Sequence, residues 1–179
     1  KFELSEDSDS ALSIDAQTGV VTLSANPDFE AQSQYSFTVI ATDNAGNKSE
    51  QPVTLDINNL DEIAPTITSD DTAVAVNENS SAEQVIYTAT ADDSLDISAG
   101  VTFSLTEGSD AALSIDPSTG AVTLATDPDH ETQSQYSFSV IATDAAGNAS
   151  EAQSVTLDIN DLDEVAPVIT SSQYASPID

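Results

Sequence analysis

The chain of 179 residues contains no cysteine, methionine or tryptophan, and its only basic residues are Lys1 and Lys48. Without cysteine there are no disulfides, so stability must come from a buried core or from bound metal. No apolar run approaches the roughly 20 residues of a membrane-spanning helix, so we predict no direct membrane insertion. Nucleic acid is excluded as a partner, because phosphate binding requires clustered Lys or Arg side chains.

Acidic residues are abundant, and they give the chain a net charge of −30. Repulsion among so many like charges opposes a compact fold. Two interpretations are open: a solvated surface adapted to salt, or carboxylates that bind divalent cations. The distribution of the acids along the chain distinguishes between them.

An internal repeat organises the chain. Residues 2–51 overlay on residues 103–152, with identity at 34 of the 50 positions. After a shift of one residue the match continues, with Val53-Thr-Leu-Asp-Ile57 over Val155-Thr-Leu-Asp-Ile159. The period of about 100 residues is the size of a domain with its own core. Self-similarity at a fixed period predicts a tandem array.

The repeat divides the chain into three predicted segments. Residues 1–63 form a partial repeat that lacks its first two strands, and residues 64–165 form a complete repeat. Residues 166–179 are predicted to be the first strand of a third repeat, because Ala166-Pro-Val-Ile-Thr-Ser171 resembles Ala64-Pro-Thr-Ile-Thr-Ser69. We therefore expect the chain to be a section of a longer array.

Short alternating segments predict β-strands. Tyr136, Phe138, Val140 and Ala142 alternate with polar residues, which places them on one face of a strand. Turn sequences such as Asp116-Pro-Ser-Thr-Gly120 separate such segments. Strands at this spacing predict an all-β, Greek-key, Ig-like β-sandwich with the Tyr-x-Phe pair in its core. Seven strands are expected in the complete repeat, near 66–76, 84–91, 101–105, 111–115, 120–124, 134–142 and 153–160.

The acids are concentrated in clusters. Asp158–Glu164 follows the last strand of the complete repeat, and Asp56–Glu62 follows that of the partial repeat. Asp129-His-Glu131 and Asp28-Phe-Glu30 precede the Tyr-x-Phe strands. Ca²⁺ takes six to eight oxygen ligands, and alternate carboxylates on an extended segment point the same way. The clustering therefore favours bound divalent metal over a merely solvated surface.

With these motifs, the unit resembles a cadherin repeat, of the bacterial cadherin-like kind found in giant secreted adhesins, often with RTX-type export. In that family an Asp-Arg-Glu motif, the Glu of a Pro-Glu-Asn motif and an acidic linker before Pro bind calcium at domain junctions. The resemblance implies calcium ligands at the end of the complete repeat: Glu78, Asp129, Glu131, Asp161, Asp163 and Glu164.

For the junction inside the chain, the resemblance implies ligands from both repeats: Asp28, Glu30, Asn59, Asp61 and Glu62 from the first, and Asp92, Asp93 and Asp144 from the second, with Asp96 as a further candidate. Asn59 replaces the acid found at Asp161, so we expect fewer ions at the internal junction. Asp144 has an alternative role, capping the turn that Gly147 closes. His130, the only histidine, is expected to be solvated rather than a ligand.

We predict that the chain is not an enzyme, because it has no cysteine and its only histidine has no nucleophile beside it in a catalytic arrangement. The resemblance implies an extracellular, calcium-rigidified spacer of a bacterial cell-surface adhesin, with adjacent repeats as partners. The alternatives are a calcium-dependent carbohydrate-binding module, for which Tyr87 and Tyr174 are aromatic candidates, and homophilic cell adhesion. The former would have a cell-surface or polysaccharide ligand. The Trp-dependent strand exchange of the family has no residue to carry it here.

Overall fold

The computed structural model describes residues 1–97 and 99–171. The chain forms two compact units, Lys1–Asp61 and Glu62–Asp179. Both units are built from β-strands, and no helix occurs in the described residues. Accordingly, no described segment is a helix of the length and apolarity needed to cross a membrane. The prediction of an all-β fold is confirmed.

The first unit consists of β1 (Phe2–Leu4), β2 (Leu12–Ile14), β3 (Val21–Leu23), β4 (Gln34–Thr42) and β5 (Lys48–Asp56). β4 lies between β1 and β5 in an antiparallel sheet, and β2 forms a hairpin with β3. Within the described residues, the outer edges of β3 and β5 have no further strand paired to them. This unit therefore contains the later strands of the repeat without the first ones.

The second unit consists of β6 (Thr66–Ile67), β7 (Val76–Asn77), β8 (Gln84–Thr88), β9 (Ala91–Asp92), β10 (Val101–Leu105), β11 (Leu113–Ile115), β12 (Ala121–Leu124), β13 (Gln135–Asp144) and β14 (Gln153–Asn160). One sheet has the order β10-β13-β14-β7, and the facing sheet has the order β11-β12-β8. β6 pairs separately with β9. The two sheets enclose the core, as the sandwich prediction requires.

The core of the second unit is built from the alternating residues of its longest strands. Phe138, Val140 and Leu157 are fully or nearly fully buried, and their polar neighbours point away from the core. The ring of Tyr87, on the opposite sheet, packs edge-on against Phe138 with a centroid distance of 5.5 Å. The buried Tyr136 and Phe138 confirm that the Tyr-x-Phe pair belongs to the core.

The first predicted strand, 66–76, is wrong as a continuous element, since strands occupy only its two ends. β6 pairs antiparallel with β9, whereas β7 pairs in parallel with β14. The chain crosses between the sheets through the polar residues 69–72, where apolar alternation is absent. The Tyr87 hydroxyl holds this crossing, 2.7 Å from Ser69 Oγ and 2.6 Å from the Asp70 carbonyl oxygen.

Two further expectations are affected by the fold. Tyr87 is buried in the core, so it is wrong as an aromatic platform for a sugar; Tyr174 lies outside the described residues. Residues 166–171 form no strand, and the rest of the segment predicted to start a third repeat also lies outside the described residues. That assignment stays a prediction.

Candidate metal centre

Glu78 is a buried acid at one end of the second unit. It follows β7 and is only 2% exposed. Its Oε1 accepts a hydrogen bond from the backbone N–H of Leu162, and its Oε2 accepts one from that of His130 at 2.8 Å. These two bonds, the first more than the second, hold the pKa of Glu78 below its ordinary value despite burial. Glu78 is therefore a charged carboxylate that ties the loop before β13 to the segment after β14.

Three carboxylates converge around this point. One oxygen from each of Glu78, Asp129 and Glu131 lies within 4.8 Å of the other two. Asp129 is held in place by its own turn, because its carboxylate accepts hydrogen bonds from Thr132 N and Thr132 Oγ1, both at 2.9 Å. This set consists only of oxygen donors, which suits a hard cation such as Ca²⁺.

A second group lies beside the first and shares Glu131. His130 Nδ1 is 3.8 Å from Glu131 Oε1 and 3.8 Å from Asp161 Oδ2. One ligand atom from each of these three residues lies within 4.8 Å of the others. The structure thus brings Asp161, from the segment after β14, to the loop that precedes β13.

The rest of the acidic segment after β14 also approaches this end of the unit. Glu164 Oε1 accepts a hydrogen bond from Asn79 Nδ2 at 2.9 Å. Desolvation, and next the nearby Glu78 carboxylate, raise the pKa of Glu164, because burial and a neighbouring negative charge both disfavour its ionised form. Asp163 Oδ1 accepts a hydrogen bond from Val165 N at 3.1 Å, within its own turn.

Asp144 lies at the end of β13 and is 5% exposed. Its Oδ1 accepts hydrogen bonds from Gly147 N at 2.7 Å and Asn148 N at 2.8 Å, and its Oδ2 accepts one from Asn148 Nδ2 at 2.8 Å. Burial acts to raise the pKa of Asp144, but these hydrogen bonds outweigh it and lower the pKa. Asp144 therefore caps the turn, which was the alternative to its metal role; the metal role stays a prediction.

The other residues predicted for the internal junction are divided between the units. Asp28 Oδ1 accepts a hydrogen bond from Ala31 N at 3.0 Å, and Asp92 Oδ1 accepts one from Ser94 N at 3.1 Å. The first unit contains Asp28, Glu30, Asn59 and Asp61, and the second contains Glu62, Asp92, Asp93, Asp96 and Asp144. Shared calcium at this junction stays a prediction.

Two residues that organise the centre were not anticipated. Asn79 contacts Glu164 from a left-handed backbone conformation with φ of 56°. Thr132 holds the Asp129 carboxylate, and the Asp-x-x-Thr spacing is a local signal that could have indicated it. No short-range spacing could have indicated the contact of Asn79 with Glu164, because the two residues are 85 positions apart.

The fold and these groups define a class: tandem β-sandwich repeats with carboxylates gathered at the end of a unit. A family model described as "Cadherin domain" matches residues 1–58 and 72–160. The chain belongs to the cadherin domain family.

Similar curated proteins include mouse Protocadherin Fat 4, which is 32% identical over 159 residues, covering 86% of this chain and 3% of that protein. Human Protocadherin Fat 1 is 29% identical over 168 residues, covering 91% of this chain and 4% of that protein. The chain thus spans only a few per cent of the length of these relatives.

Two similar solved structures support the fold. Human Protocadherin-24 EC1-2 has a TM-score of 0.68 at 17% identity, covering 90% of this chain and 82% of that one. Mouse Cadherin-23 EC22-24 has a TM-score of 0.64 at 24% identity, covering 90% of this chain and 54% of that one. The predicted sandwich is thereby confirmed as a cadherin fold.

Cadherin domains are extracellular adhesion modules that bind calcium at the linkers between repeats. The predicted cadherin-like tandem repeat is confirmed. The family is not one of enzymes, which agrees with the prediction for this chain. The bacterial origin, RTX-type export and spacer role stay predictions.

Proposed function

We propose that the chain is a calcium-rigidified, extracellular spacer from a secreted bacterial cell-surface adhesin, in which calcium ions lock the linkers between adjacent repeats. The observation that carries the proposal is the convergence of Glu78, Asp129 and Glu131 at one end of the second unit. Such carboxylates repel one another unless a cation lies among them. A chain with a net charge of −30 has few cations of its own to supply.

The donor chemistry fits calcium. Glu78 is buried and ionised, and each of its oxygens retains lone pairs after accepting one backbone hydrogen bond. Asp129 is already oriented by Thr132, which lowers the entropy cost of ordering it around an ion. The residues that would hold calcium at this end are Glu78, Asp129, Glu131, Asp161, Asp163 and Glu164. The bound ion would supply the positive charge that offsets their repulsion.

For the internal junction we propose the ligands Asp28, Glu30, Asn59, Asp61, Glu62, Asp92, Asp93 and Asp144. The similarity of the clusters in the two repeats supports this set, since Asp28 and Glu30 correspond to Asp129 and Glu131. Asn59 provides an amide where Asp161 provides a carboxylate. Fewer ions are therefore expected at this junction than at one with the full acidic set.

The spacer role is supported by the near-identity of neighbouring units. A recognition surface functions as a single copy, whereas length is gained by repeating a unit. Ligands from two successive repeats that share an ion restrict the angle between them. The bacterial adhesin origin is part of the proposal, and the resemblance of such near-identical units to adhesin arrays supports it.

Homophilic adhesion is the second candidate, because the relatives include protocadherins. Sedimentation in calcium distinguishes the two functions. A spacer stays monomeric at micromolar concentration, whereas a homophilic module forms dimers that dissociate in chelator.

A calcium titration tests the proposed site. Calcium binding to the folded state alone adds about 2.7 kcal/mol of stability when free calcium is 100 times the Kd. Glu131→Gln should weaken calcium binding, measured by calorimetry, and Glu151→Gln is the matched control. Glu151 is exposed and outside the clusters, so its loss should change little. An unfolding curve that is the same in calcium and in chelator would contradict the site.

Small-angle scattering tests the spacer role separately. Calcium should narrow the distribution of maximum dimensions, because it limits the angles that the linker samples. Equal distributions in calcium and in chelator would leave calcium as a local stabiliser and remove the case for a rigid spacer.

A further inference from the structure

A histidine at the acidic end distinguishes the second repeat from the first. Residue 130 is His where the first repeat has Phe29, and residue 161 is Asp where the first repeat has Asn59. These two differences are distant in sequence but adjacent in the folded second unit, because His130 Nδ1 lies 3.8 Å from Asp161 Oδ2. Together they place an imidazole beside a carboxylate, a pair for which the first repeat has no equivalent residue types.

The spacing within the group fits a shared ion better than direct bonding. His130 Nδ1 lies 3.8 Å from both Glu131 Oε1 and Asp161 Oδ2, which is too long for a hydrogen bond. Two atoms that bind one tetrahedral zinc ion at about 2.0–2.2 Å lie about 3.3–3.6 Å apart, so the 3.8 Å separations need to shorten only slightly. All three side chains retain solvent exposure, so an ion can reach them.

The buried Glu78 carboxylate positions the backbone that carries these side chains. The Glu78 carboxylate accepts hydrogen bonds from His130 N and from Leu162 N, the residue after Asp161. One buried side chain thus fixes both segments that present the ligands. A site whose ligands are held in this way loses little entropy when it binds an ion.

We propose that His130, Glu131 and Asp161 bind a divalent transition-metal ion of the Zn²⁺ class. An imidazole with two carboxylates suits zinc and its neighbours, whereas the oxygen-only group of Glu78, Asp129 and Glu131 suits calcium. The chain contains no cysteine to compete for such an ion. This inference goes beyond the spacer function and requires only the folded second unit. Glu131 and Asp161 also belong to the calcium set proposed above, so zinc and calcium would compete for these two side chains.

Zinc titration of the full chain, freed of any affinity tag and of metal, tests the proposal by calorimetry and NMR. His130 is the only histidine, so its imidazole resonances report on the site without overlap. One equivalent of zinc should shift them. His130→Phe, which introduces the residue of the first repeat, should weaken zinc binding by about tenfold or more. Asp161→Asn, which introduces the residue type of Asn59, should also weaken it.

Glu151→Gln is the matched control and should leave zinc affinity unchanged. Imidazole resonances that do not move at saturating zinc would overturn the proposal, as would equal zinc affinities of His130→Phe and the unsubstituted chain. A calcium titration of His130→Phe separates ligation from folding. If His130→Phe keeps its calcium affinity while losing zinc affinity, ligation by His130 is supported. If the variant loses affinity for calcium and zinc to the same extent, the proposal is overturned. If the unsubstituted chain binds zinc through His130 but no calcium, the spacer proposal fails and the zinc site stands.

Discussion

The two repeats contain nearly the same strands but bury them to different extents. Val140 and Ala142 of β13 are fully buried, whereas their counterparts in β4 of the first unit are half-buried. The contrast is largest in the Val-Thr-Leu-Asp segment that both units share. Leu157 is 0% exposed, and its counterpart Leu55 is 39% exposed.

The difference comes from what faces and flanks these strands. In the second unit, β8 pairs with β12 and brings Ile86 and Tyr87 over the core, and β7 pairs along β14. The described residues of the first unit include no strand that corresponds to these two. A strand of nearly the same sequence therefore has a fully buried face in one unit and a partly exposed face in the other.

Local structure, by contrast, is the same in both units. Asp15 Oδ1 accepts hydrogen bonds from the N–H groups of Gln17 and Thr18, and Asp116 Oδ1 accepts them from those of Ser118 and Thr119. The glycines that end these turns, Gly19 and Gly120, have φ of 74° and 70°. The turns form from their own residues and need no facing sheet.

The largest expected difference in stability is between substitutions of Leu157 and Leu55. Leu157→Ala should lower the free energy of unfolding by about 2–5 kcal/mol, because it leaves a cavity in a closed core. Leu55→Ala should cost about 1 kcal/mol, since the side chain is only partly buried and water can fill the space. Denaturant unfolding followed by NMR signals of each unit measures both. Equal losses would show that the two cores are equally closed.

The paired glycines should show the next largest difference. Alanine at either position incurs about 1–2 kcal/mol of backbone strain from the positive φ. At Gly120 the added Cβ would also collide with the carbonyl oxygen of Ala89, whereas at Gly19 it would meet the Phe2 ring at 3.3 Å. The collision should add about 1–3 kcal/mol. Thermal unfolding of Gly120→Ala and Gly19→Ala checks this, and a larger loss for Gly19→Ala would contradict it.

A smaller difference is expected between the two turn-capping acids. Asp43 and Asp144 make equivalent hydrogen bonds to Asn47 and Asn148, but only Asp144 is buried. Asp144→Ala should lower the melting temperature more than Asp43→Ala, because water replaces lost bonds more readily at the exposed turn. Both are measured in chelator, which removes any contribution of metal. Equal shifts would mean that burial adds nothing to this cap.

The smallest expected effect is on the pKa of Asp116, the acid that caps its turn in the second unit. Hydrogen bonds from Ser118 Oγ and from the N–H groups of Thr119 and Ser118 lower the pKa of Asp116 to about 2. Because the folded pKa lies below the unfolded value, this contribution to stability is complete above pH 3.8 and is lost as the pH falls through about 2. Ser118→Gln, which introduces the residue type of Gln17, should raise the pKa of Asp116 in an NMR titration. An unchanged pKa would remove the serine hydroxyl from the explanation.

Much of the fold could be predicted from short-range patterns. Alternation in Gln135–Asp144 indicated a strand with one buried face, and the acid clusters indicated the candidate ligands. The break in the predicted strand 66–76 could not be predicted in this way. The break arises because the two ends pair with different strands: β6 pairs with β9, and β7 pairs with β14. Both partners are distant in sequence.

The sequence by itself determined most of the strands, the turns and the repeat, because alternation and turn residues act over a few positions. Only the tertiary structure decided that Leu157 is buried and Leu55 is not, since burial depends on the strands that cover a surface. It also decided that Glu78 lies beneath His130 and Leu162, and that His130 lies next to Asp161. Sheet pairing brings these residues together, and no local sequence pattern predicts which distant segments will become neighbours.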